Sequence, residues 1–82
     1  MDFPQYRKYS NGRSYFKVVS EKEFEELQFI GDSLVWHRVV AKQYPEMRTI
    51  KDMLELHEGR WEEIDAIEYN AIQEKFEAQG SS

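Results

Sequence analysis

Twice in this chain the residues for a strand running straight into a capped helix occur at matching spacing, and that joint restricts the fold more than any other feature. In the first copy, Tyr15 to Leu27 (YFKVVSEKEFEEL), Ser20 and Glu23 have capping-box spacing. The Ser20 hydroxyl can accept from the Glu23 N–H while the Glu23 carboxylate reaches back to the Ser20 N–H. Val19 and Phe24 occupy the two positions of a hydrophobic staple, which sets the angle between strand and helix. In the second copy, Trp61 to Ile72 (WEEIDAIEYNAI), Asp65 and Glu68 stand for Ser20 and Glu23, and Ile64 and Tyr69 for Val19 and Phe24. Ile72 matches Leu27 and Trp61 matches Phe16. The correspondence predicts an internal ββα repeat.

The remaining elements are read around the two joints. Asn11-Gly12, flanked by aromatic and β-branched runs, predicts a type I′ hairpin between Gln5–Ser10 and Ser14–Val19. Closing it with Ser10 opposite Arg13 puts Arg7 opposite Phe16, Tyr6 opposite Lys17 and Lys8 opposite Tyr15. One side of the ribbon then carries Tyr9, Phe16 and Val18, taken as core, and the other carries Tyr6, Lys8, Tyr15 and Lys17. Phe24, Leu27 and Ile30 form the stripe of a helix from Glu21 to Ile30, stopped by Gly31. Residues 33–43 are rich in β-branched and aromatic side chains and predict a strand. Leu34, Trp36 and Val40 fall on one side of it, and Val35, Val39 and Ala41 on the other, so it should be central or covered on both faces. Tyr44-Pro45-Glu46 reads as a turn. Alternation of Ile50, Leu54 and Leu56 makes Arg48 to His57 a half-buried strand. Glu58-Gly59-Arg60 is the hairpin turn to a short strand, Trp61 to Ile64. A second helix, Ala66 to Ala78, presents Tyr69, Ile72 and Phe76. The fold expected is α+β in the order ββα-βββα, an antiparallel sheet with both helices packed on one face.

Eighty-two residues make one domain, expected over residues 1–79 with 80–82 as a disordered tail. Without cysteine there are no disulfides, thiolate metal sites or thiol catalysis. Small secreted domains usually need such staples, and the N-terminus has no basic-then-apolar leader, so a cytoplasmic protein is expected. No apolar run reaches the roughly 20 residues that span a bilayer. The net charge of −5 is uneven. Residues 1–51 hold nine Lys/Arg against seven Asp/Glu, and residues 52–82 hold two against nine, giving +2 and −7. Asymmetry of this kind marks a candidate binding face, although Glu also simply favours helices.

Chemistry-bearing patterns are sparse. His37 and His57, with Glu55 or Glu58, fall short of a three- or four-ligand zinc site. His57-Glu58-Gly59 starts like a zincin motif and lacks the second histidine. Ser10, Ser14, Ser20 and Ser33 have local roles in turns and caps, and there is no nucleophile elbow or phosphate loop. No catalytic residue, metal, cofactor, membrane or small-molecule substrate is therefore expected. Two surfaces remain. The face formed by Tyr6, Lys8, Tyr15 and Lys17 has the basic and aromatic character that stacks single-stranded nucleic acid, and this is the alternative reading. Ile67, Ala71 and Ala78 form a second apolar stripe on the last helix, and Trp36 adds apolar surface on the doubly apolar strand. They favour a non-catalytic protein-binding module, a regulator, inhibitor or accessory subunit, whose partner is a protein or a second copy of the chain as a homodimer.

Overall fold

The structure, a computed structural model, describes residues 2–79, so the expected tail at 80–82 lies outside the described residues. The fold is α+β: five antiparallel strands with two helices packed against the sheet. The elements are β1 (Gln5–Tyr9), β2 (Ser14–Ser20), β3 (Glu23–Ile30), β4 (Ser33–Val40), α1 (Tyr44–Glu55), β5 (Trp61–Ile64) and α2 (Ala66–Gln79), with a short 3-10 turn at His57–Gly59. The order is thus ββββαβα rather than ββα-βββα, and no ββα repeat is present.

The β1–β2 register is the one expected, Tyr6 opposite Lys17, Arg7 opposite Phe16 and Lys8 opposite Tyr15. The turn that sets it is different. Gly12 takes positive φ but Asn11 does not, which excludes type I′. Instead the Gly12 N–H donates to the Tyr9 carbonyl at 2.8 Å and the Asn11 side chain accepts from the Arg13 N–H at 2.9 Å.

The expected first helix is strand β3. Ser20 does not cap a helix; its hydroxyl accepts from the Lys22 N–H at 3.1 Å inside a tight turn that brings Glu23 opposite Ser20. The ladder slips between Val18 and Ser20, leaving Val19 at a bulge. β4 follows through Gly31, whose φ of 62° suits the turn. It was expected to be central or doubly covered and is an edge strand.

The second exchange is α1, where Arg48 to His57 was expected as a strand. Pro45 lies in its first turn, where a missing N–H leaves nothing unsatisfied. Ile50 and Met53 are buried at helical spacing, and Leu54 packs beside them. Leu56, at φ 54°, ends the helix with its N–H on the Asp52 and Met53 carbonyls. The chain then turns through His57–Gly59 instead of a hairpin and lays β5 beside β1, at the opposite edge from β4.

The helices do not share a face. Adjacent strand residues point to opposite sides, and Phe16 and Tyr15 belong to different clusters. Phe16, Val18, Phe24 and Trp61 pack with Ile50 and Met53 of α1. Leu27 and Leu34 pack with Tyr69 and Ile72 of α2, joined by Tyr6, Tyr15, Ile64 and Phe76. The sheet is therefore the middle layer of three. Arg7 ties β1 to α1. The side chain is buried, and its Nε donates to the Met53 carbonyl at 3.0 Å while Nη1 donates to the Tyr6 carbonyl at 2.8 Å. α1 has no basic residue in its last turn, so the cation at its negative end comes from β1.

Candidate interaction surfaces

α2 begins as expected. The Asp65 carboxylate accepts from the Glu68 N–H at 2.9 Å, the Tyr69 N–H donates to the Asp65 carbonyl at 3.3 Å, and Ile64 joins Tyr69 in one cluster. This start places α2 over the basic-aromatic side of the β1–β2 ribbon. Tyr6 meets Tyr69 with ring centroids 5.3 Å apart, and Tyr15 meets Phe29 edge-on at 6.3 Å. Both are half-buried in the α2 cluster. Lys8 forms a 3.1 Å ion pair with Glu68, whose hydrogen bond and charge hold the ammonium above its ordinary pKa. Burial pushes the Tyr69 phenol well above its ordinary value, with the Glu25 carboxylate adding to the shift. The structure thus brings Tyr6, Lys8, Tyr15 and Lys17 to one face, with the two tyrosine rings turned to neighbouring side chains under α2 rather than to an open platform.

The proposed association residues lie on two elements. Ile67 is 80% exposed on the outward side of α2, where Ala71 and Ala78 are also exposed. Trp36 is 43% exposed on β4, with its indole N–H donating to Glu25 at 3.2 Å. Val40, two pleats further on, is exposed on the same side of β4.

What joins Trp36 and Val40 is the backbone between them, which the sequence reading missed because strand order is a long-range property. Among the described residues β4 pairs only with β3. In an antiparallel ladder, alternate residues aim both N–H and C=O to the same side. The Ala41 N–H bonds inward to the Lys22 carbonyl. The Leu34 N–H donates outward to Gln79 Oε1 at 2.9 Å, and its carbonyl accepts from Gln79 Nε2. Trp36, Arg38 and Val40 share the parity of Leu34, and their backbone groups have no outward bond among the described residues. The open run is bracketed: the Gln79 side chain occupies Leu34, and the Lys42 N–H is taken by Glu46 at 3.4 Å. Arg38 sits in its middle, held by Glu23 at 2.6 Å, and that hydrogen bond keeps its guanidinium above its ordinary pKa.

The edge at β5 is built differently. It is four residues long, its outward groups belong to Trp61 and Glu63, and Glu62 and Glu63 stand exposed along it. Short length and charge are the usual protection of a strand edge.

Among the described residues no three His, Cys, Asp or Glu side chains gather closely enough to hold a metal ion, and no helix is long and apolar enough to cross a membrane. The chain matches no protein-family model, and no curated protein or solved structure shows significant similarity to it.

Proposed function

We propose that this chain is a non-catalytic protein-binding module that engages its partner along strand β4. The observation that carries the reading is the open edge from Trp36 to Val40, with backbone groups that have no outward partner among the described residues and two exposed apolar side chains on one side. An extended partner segment gains main-chain hydrogen bonds from such an edge and specificity from alternate side chains. The outward face of α2, with Ile67, Ala71 and Ala78, is a second apolar surface without open backbone groups. It supports the same class of function and not the same mode. Single-stranded nucleic acid finds less support, because Tyr6 and Tyr15 pack within the α2 layer.

Site-specific photocrosslinking tests the reading in the cell that makes the protein. A photoreactive residue at position 36 is expected to give a discrete protein adduct. The same residue at Glu55, exposed on α1, is expected to give none. Equal labelling from both positions, or none from position 36, overturns the proposal.

A further inference from the structure

We infer that the partner of β4 is the β4 strand of a second copy of this chain, paired antiparallel about a two-fold axis at Arg38, so that two five-stranded sheets become one continuous sheet. The inference rests on the protein-binding reading above and narrows it to one occupant.

The argument is one of self-fit. An antiparallel pair exchanges hydrogen bonds between residues that both point outward. On β4 the open ones are Trp36, Arg38 and Val40, equally spaced about Arg38. Turning a second β4 about that centre sets Trp36 opposite Val40, Arg38 opposite Arg38, and Val40 opposite Trp36 of the other copy. Every open N–H and C=O in the run then finds a partner. A slip of two residues in one direction runs a residue into Leu34, whose groups Gln79 already holds. A slip in the other direction runs into Lys42, whose N–H is held by Glu46. Either slip leaves open groups unmatched, so the brackets select one register.

The side chains agree with that register. Trp36 and Val40 meet across the joint on one face, and aromatic with β-branched is a stabilising cross-strand pair. The central contact places two arginines opposite each other, which bare charges would oppose. Each arginine arrives already paired with its own Glu23 at 2.6 Å, so two ion pairs lie side by side. The net charge of −5 resists association at long range, but at physiological salt the Debye length is about 8 Å, and the acidic C-terminal part is screened beyond that. One strand joint lies at the small end of protein interfaces, so the dimer should be weak and concentration-dependent.

The test combines sedimentation over a concentration series with amide hydrogen exchange. The wild-type protein is expected to dimerise as concentration rises, with the Trp36, Arg38 and Val40 amides becoming protected and those of Trp61 and Glu63 unchanged. Arg38→Pro removes the central donor from each copy. Because that N–H faces outward on an edge strand, proline is compatible with the monomer fold. The dissociation constant should rise by at least about tenfold. Arg38→Glu alone should also weaken association, and mixing it with wild type should restore it through Glu opposite Arg. A monomer at every concentration overturns the inference, as does a dimer whose protection lies elsewhere, or one indifferent to Arg38→Pro. A strict monomer whose position 36 still crosslinks to a different protein removes self-pairing and keeps the protein-binding reading. A monomer without an adduct removes both.

Discussion

Ser20 and Asp65 stand at the ends of β2 and β5 and each offers an oxygen to the chain that follows, Ser20 to the N–H two residues on and Asp65 to the N–H three residues on, and one is followed by a strand and the other by a helix. The difference lies in where the next apolar side chains can be buried. After Asp65, Tyr69, Ile72 and Phe76 need one stripe, and a helix brings them together on one side of the sheet. After Ser20, a strand sends Phe24 to the α1 side and Leu27 and Phe29 to the α2 side, where each finds a cluster. A helix would satisfy Phe24 and Leu27 but strand Phe29. The glutamates around them, good helix formers in isolation, serve as cross-strand partners. Glu25 lies between Lys17 and Arg38 in the ladder, Glu23 pairs with Arg38, and Glu26 accepts from the Ser14 hydroxyl at 2.8 Å. A cap therefore permits a helix, while the layers available on either side decide whether one forms.

The comparison can be broken most forcefully at the buried residues. Phe24→Ala and Leu27→Ala are each expected to lower stability by about 2–5 kcal/mol in urea denaturation. Because they lie about 10 Å apart along a strand and on opposite faces, their effects should add within about 0.5 kcal/mol. Strong coupling between them would mean one shared stripe, as in a helix. The caps give a middle-sized effect. Asp65→Ala should cost about 0.5–2 kcal/mol, whereas Ser20→Ala, at an exposed turn, should stay within about 0.5 kcal/mol. Equal losses would return the two joints to equivalence. The smallest effect at neutral pH is expected for Tyr69→Phe, which puts at the second joint the ring that the first carries as Phe24. Burial raises the Tyr69 pKa above its ordinary 10.0 in the folded protein, so the neutral phenol contributes stability that is complete below that pH and lost as pH climbs past it. Tyr69→Phe should flatten the alkaline loss, leaving the part due to Tyr9, also raised by burial. Unfolding midpoints above and below pH 10 provide the measurement.

The parts of the fold legible in the sequence were those whose pattern is local. The β1–β2 register, β4, β5, and α2 with its cap follow from turn residues, alternation and capping geometry within a few positions. β3 and α1 were interchanged for complementary reasons. With a helix on each face, β3 loses the alternation that a one-sided strand shows, and the spacing of Phe24, Leu27 and Ile30 imitates a helical stripe. In α1, Ile50, Leu54 and Leu56 also fit a two-residue period, which masked Met53, a fully buried residue. The side covered by each helix followed from that exchange, and with it the covering of Tyr6 and Tyr15. Exposure at Trp36 and Ile67 was legible as apolar surplus. The open backbone beside Trp36 was not, because it depends on β5 taking the place next to β1.

That last pairing has a consequence in time. Tyr9 and Trp61 are opposite each other although 52 positions separate them in the chain. During synthesis at about 5–20 residues per second, roughly 3–10 s pass between the two. Throughout that interval β1 has its inner neighbour β2 but no outer one, and until Met53 is made Arg7 has no helix end to donate to. The nascent meander therefore shows β1 as one of its two borders, and the arrival of Trp61 decides when that border is exchanged for the short, acidic strand β5.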